Sequence, residues 1–152
     1  MHFIELIEEL SKDEPVELLI DMDGVIASYD FGKPLNFKTK RPLFSNIKIL
    51  EKVSNLENVE CSILSICHKD IEIKDKNEWL DQYASFFNKD KRFILSKETI
   101  KGQSSAQMKL NFIQKYHPHI KKIIVDDDNL ILKELSKNLK NVILLQDSEL
   151  ID

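Results

Sequence analysis

At 152 residues, with 42% apolar and 32% charged residues and a formal net charge of −4, the chain has the composition of a single soluble globular domain. It is long enough to bury roughly two thirds of its unfolded surface, and its mild acidity argues against nucleic-acid binding through overall charge, leaving only a local basic patch open. No apolar stretch approaches the roughly 18 residues of a membrane span, and Cys61 and Cys67 form neither a CxxC pair nor a set spaced for zinc.

The N-terminal MHFIELIEELSKDEP carries acidic residues where a leader would be basic, and reads as a short amphipathic helix over 1–14. With the two thiols free, a cytoplasmic location is expected. Val16 to Ile20 is a short apolar run that stops at Asp21, opening the turn Asp21-Met22-Asp23-Gly24. Ser45 is placed to cap a helix whose Ile47, Leu50 and Val53 share one face. Val59 to Ser65 reads as a second strand, and Asp70 to Asn88 as a helix with Trp79, Leu80, Tyr83, Phe86 and Phe87 along its apolar stripe. Phe93 to Leu95 is a third strand. A helix begins at Ser104 or Ser105 and is stopped by Pro118. Lys122 to Val125, a helix through Ile131 and Leu135, and Val142 to Leu145 complete the chain.

Strand and helix alternating in this way predict an α/β fold: a three-layer sandwich around a mainly parallel five-stranded, Rossmann-like sheet. Ligands of such sheets bind beyond the carboxyl ends of the strands. Three of the predicted strands end there in Asp21, Ser65 and Asp126, all polar.

The pair Asp21 and Asp23 alone fits a solvated turn as well as a phosphoryl-transfer site. Asp126-Asp127-Asp128 adds a second constraint, because like charges so close must be protonated or neutralised by a cation. A hard divalent ion with oxygen ligands fits, while Asp128 or Asn129 can cap the following helix. Ser65 offers a hydroxyl to a phosphoryl oxygen, and Lys101 or Lys109 offers a cation.

In that order the pattern resembles the haloacid dehalogenase-like superfamily, on LLIDMDGVIAS, the serine, the lysine and IIVDDDN. The phosphatase branch of that superfamily carries aspartate at the position of Asp23. The deoxyribonucleotidase-like group and the phosphatase domain of polynucleotide kinase look most similar; their placing of a lysine on the helix before Asp-Asp favours Lys109, with Lys101 as the alternative.

The resemblance implies one domain over 1–152, with its core at 16–145 and no large cap, since the intervals around Ser65 are already filled by predicted elements. It also implies a magnesium-dependent phosphomonoesterase. Asp21 would be the nucleophile and Asp23 the acid and base. Ser65 and Lys109 would hold the phosphoryl oxygens, Gly24 would let the backbone turn beside the substrate, and Asp21, Asp23 (through its carbonyl), Asp126 and Asp127 would hold Mg2+.

An uncapped site expects a bulky substrate or self-association. The loop FGKPLNFKTKRP carries Lys33, Lys38, Lys40 and Arg41 with Phe31 and Phe37 interleaved. It suits a nucleotide or a nucleic-acid terminal phosphate, unless its phenylalanines pack inward. His68 and Lys69 follow Ser65 closely enough to face the same substrate. Sugar phosphates and other small metabolites, or a phosphate- or partner-binding module without turnover, are the alternatives.

Overall fold

A computed structural model describes residues 2–29 and 37–151. Five strands form one parallel sheet: β1 (Val16–Ile20), β2 (Val59–Cys67), β3 (Arg92–Ser96), β4 (Lys121–Asp126) and β5 (Val142–Gln146). Their order across the sheet is β3-β2-β1-β4-β5, so β1 is central, with Leu18 opposite Cys61 of β2 and Ile123 of β4. Connections run outward from β1 through β2 to β3, then cross back to β4. The direction of winding therefore reverses between β1 and β4, which opens a crevice at their carboxyl ends.

Alternation along the strands divides the core. Leu18, Ile20, Ile63, Ile123 and Val125 face one side, where they meet Phe3 and Ile7 of α1 (His2–Ser11), Leu50 and Val53 of α2 (Phe44–Ser54), and Trp79 and Leu80 of α3 (Ile71–Tyr83). Leu19, Leu64 and Ile124 face the other side. There they meet Leu110 and Ile113 of α4 (Ser105–Lys115), and Ile131 and Leu135 of α5 (Asn129–Asn138). β1 is apolar on both faces because helices cover both. Among the described residues no helix is long and apolar enough to cross a membrane.

Three local expectations are corrected. β2 continues two residues past Ser65, because its second half pairs with β3, Ser65 opposite Ile94 and Cys67 opposite Ser96. Ser65 thus lies inside the strand, facing the α3 side. Ser45 is not a cap: α2 begins one residue earlier, behind Leu43, without a side-chain cap. The third helix stops at Tyr83 instead of Asn88. The chain turns there, so that Phe87 is fully buried in the core, and Arg92 of β3 donates to the Phe87 and Asn77 carbonyls and pairs with Asp81. Ser104 does cap α4, accepting from the amide of Gln107, and Asp128 caps α5, accepting from Leu130 and Ile131.

Leu18, fully buried on the central strand, contrasts with Leu130, 77% exposed. Leu18→Ala is expected to lower unfolding free energy by about 2–5 kcal/mol. Leu130→Ala should change it by less than about 0.5 kcal/mol in the same denaturant titration.

Candidate active site at the carboxyl edge of the sheet

The turn after β1 is built by local hydrogen bonds and held from outside. The amides of Ile26 and Ala27 both donate to the Met22 carbonyl at 3.0 Å, and Gly24 donates to Ala27 at 2.8 Å. Asn46 of α2 donates to the Val25 carbonyl at 2.7 Å, and the Asp21 amide donates to Val125 of β4 at 3.0 Å. Met22, Val25 and Ile26 are buried beneath this turn, which fixes Asp21 and Asp23 at the crevice. Gly24 has φ +80°, and a Cβ there would lie 2.6 Å from Asp127 Cγ. Only glycine lets this turn and Asp127 occupy neighbouring space.

Asp21, Asp126 and Asp127 converge, each offering an oxygen within 4.8 Å of the others. Lys109 reaches them from α4, donating to Asp21 Oδ1 at 3.1 Å and to Asp126 Oδ2 at 2.6 Å. The other Asp126 oxygen accepts from the Asp128 amide at 3.0 Å. Of the two candidate lysines, Lys109 is the one buried against these carboxylates, whereas Lys101 is exposed before α4.

With all three carboxylates ionised, they would exceed the one ammonium by two charges. Burial lifts the Asp21 carboxyl to about 7, against the pull of Lys109 and with help from Asp126 and Asp23. Burial likewise lifts Asp127 to about 6, with Asp126 adding and a hydrogen bond with Asp21 opposing. Burial disfavours the Lys109 ammonium, but Asp21 and Asp126 outweigh it and raise its pKa.

Asp23 sits in a different field. Burial pushes its carboxyl up, yet Lys76 and Lys40 prevail and hold it below the ordinary range. Lys40 pairs with Asp23 Oδ1, and Lys76 Nζ lies 3.3 Å from Asp23 Oδ2. Lys76 also donates to Ser65 Oγ at 2.7 Å and to the Ile66 carbonyl at 3.0 Å. Sequence reasoning missed Lys76. The available signal was its place on the α3 stripe with Trp79, Leu80 and Tyr83, where a lysine is out of character.

The basic loop is sorted unevenly. Lys40 enters the site, and its carbonyl accepts from Trp79 Nε1 at 2.9 Å. Phe37 is buried edge-on against Trp79, with the ammoniums of Lys40 and Lys76 about 5 Å from its ring centroid, so it cannot stack on a base. Lys38 pairs with Glu78 and Asp75 of α3. Arg41, His68 and Lys69 are exposed, and among the described residues no hydrogen bond or ion pair joins their side chains to the site. Lys33 and Phe31 lie outside the described residues. Cys67 is buried and burial raises its thiol pKa, which suits packing and not reactivity.

No protein-family model matches the chain, and no curated protein sequence does. The fold is shared with a chain in a solved structure called "Structure of the Pnkp1/Rnl/Hen1 RNA repair complex", with a TM-score of 0.66 and 14% identity. That match covers 88% of this chain and 43% of the other, so this chain spans less than half of its neighbour's length. At such identity the likeness shows the fold alone.

Gly24→Ala forces a left-handed non-glycine residue against Asp127, and should destabilise the protein by about 1–3 kcal/mol in thermal or denaturant unfolding. An unchanged stability would mean that the turn relaxes freely.

Proposed function

We propose that the chain is a divalent-metal-dependent phosphomonoesterase of the haloacid dehalogenase-like type, acting on a phosphorylated nucleic-acid end or nucleotide. The observation that carries this reading is Lys109, buried between Asp21 and Asp126 beside Asp127, at the switch point of the sheet. A buried carboxylate next to a fixed ammonium, with two further carboxylates in reach, suits a nucleophile and a hard cation together. Asp21, Asp126 and Asp127 would hold Mg2+, and their two-charge excess over Lys109 matches a divalent ion. When bound, Mg2+ supplies positive charge that offsets the repulsion between an anionic nucleophile and an anionic ester.

In this reading an Asp21 oxygen attacks phosphorus and the ester oxygen departs, leaving an aspartyl-phosphate. Water then attacks the same phosphorus, the bond to Asp21 breaks, and inorganic phosphate leaves. Asp23 is ionised in the resting site, which suits its part as base toward that water. Its part as acid requires a proton to reach it once a bound phosphoryl group weakens its ion pairs with Lys40 and Lys76. Ser65 and Lys109 face the oxygens on which charge collects.

The substrate class rests on the fold shared with a chain of an RNA repair complex, and on the described residues forming no large cap over the crevice. The expected basic, aromatic loop lends it less support, because Phe37 is buried and Lys38 is tied to α3.

Asp21→Asn should remove Mg2+-dependent release of phosphate from 3′- or 5′-phosphorylated RNA and DNA ends, while thermal unfolding remains cooperative. Activity persisting in the variant would exclude Asp21 as nucleophile; a wild-type chain inactive on nucleotides, ends and sugar phosphates alike would point to a binding module.

The raised pKa values of Asp21 and Asp127 give a second expectation. Between their ordinary value near 3.8 and about 6 to 7 the folded state holds more protons than the unfolded one, so their contribution to stability falls as pH rises. Mg2+ binds the ionised forms, so its elevation of Tm should be larger at pH 7.5 than at pH 5 and should shrink in Asp127→Asn. Equal elevation at both pH values would contradict the assigned ligands.

A further inference from the structure

Two fully enclosed lysines of this fold use their donors differently. Lys122, at the opposite edge of the sheet, donates to the main-chain carbonyls of His117 and Ile120 at 2.6 and 3.1 Å and lies 3.9 Å from the buried Glu17 carboxylate, away from the candidate site. Lys76, only 3% exposed, gives one donor to a carbonyl and the other two to Ser65 and Asp23, side chains of the candidate site. Placing an ammonium there is costly, and an apolar residue on the α3 stripe would fill the space more simply.

The contact with Ser65 fixes what that hydroxyl can do. A serine hydroxyl has one hydrogen and two lone pairs. Lys76 takes a lone pair, and among the described residues the buried Ser65 hydroxyl donates to none, so its hydrogen is uncommitted at the floor of the crevice. The contact with Asp23 sets the local charge. Lys40 and Lys76 together exceed Asp23 by one positive charge, whereas the Asp21 side is negative until a cation enters.

We infer that Lys76 is a positioning residue that holds the Ser65 hydroxyl as a donor and, with Lys40, forms a cationic subsite selecting doubly charged terminal phosphates over singly charged phosphodiesters. This rests on the phosphomonoesterase reading above and adds a specificity element to it. The phosphoryl group is received between cations from two helices, Lys109 of α4 and Lys76 of α3.

The test is calorimetric titration of the full, Mg2+-loaded chain, carrying Asp21→Asn throughout so that the monoester is not turned over and otherwise wild type, with methyl phosphate and dimethyl phosphate near pH 8, where the first is a dianion. This parent chain is expected to bind methyl phosphate at least tenfold more tightly. Lys76→Met should weaken methyl phosphate roughly tenfold to a hundredfold, the range for a hydrogen bond to a charged group. It should also narrow the gap to dimethyl phosphate. Ser65→Ala should weaken methyl phosphate too, and the double variant should lose little beyond the worse single one, because the lysine acts through the serine. Lys76→Gln serves the same comparison if Lys76→Met does not fold.

Methyl phosphate affinity within twofold of the parent chain in the lysine variants, or additive losses in the double variant, would overturn the assignment. A parent chain that binds neither phosphate would overturn both this inference and the reading beneath it. Loss of binding in Lys76→Met together with hydrolysis persisting in Asp21→Asn would remove the nucleophile but keep the lysine.

Discussion

Four carboxylates meet at the carboxyl edge of the sheet, and three lysines from separate parts of the chain are buried with them. Asp21, Asp126 and Asp127 are balanced only in part by Lys109 of α4, and Asp23 is over-balanced by Lys40 and Lys76. Each charge removed from water needs a partner at hydrogen-bonding distance. The elements that supply those partners must therefore sit where they do. The winding reversal puts β1 and β4 side by side, the turn pinned by Asn46 aims Asp23 away from Asp21, and α3 and α4 close in from opposite faces.

That division gives the site two halves of unlike character. On the Asp21 side burial drives the carboxyl pKa values up, so the cluster is short of positive charge. On the Asp23 side the lysines drive the pKa down, so the charge is already in place. A cation suits the first half and a phosphoryl group the second. This asymmetry, more than any one residue, makes phosphoryl transfer the reading that uses every charge buried at this edge of the sheet.

Much of the sheet was legible in the sequence, because strands covered on both faces read as apolar runs: Val16–Ile20 matches, the fourth strand is longer by a residue at each end, and the fifth by a residue at its carboxyl end. Ser104 and Asp128 were legible as caps for the same local reason. What failed was set by tertiary contact. β2 outruns its apolar pattern because β3 pairs with its second half, and α3 ends early because Phe87 enters the core and Arg92 takes the Phe87 carbonyl beyond the helix end. In the candidate site, order along the chain pointed to Asp21, Asp23, Ser65, Lys109, Asp126 and Asp127, and the fold brings these residues to one edge of the sheet. Lys76 was not, because a helical lysine carries no motif, and only its neighbours on the apolar stripe mark it as buried. Phe37 was open to two readings from its loop, and packing against Trp79 decides for the inward one.

The central claim is that Asp21 becomes covalently bonded to phosphorus. Quenching the working protein on a phosphorylated substrate, reducing with borohydride and sequencing the peptides by mass spectrometry tests this directly, since an acyl phosphate is reduced and a free carboxylate is not. The account predicts that Asp21 is converted to homoserine in the presence of substrate and Mg2+, and not when either is left out. Unmodified Asp21 during turnover, or reduction at a different carboxylate, would contradict it.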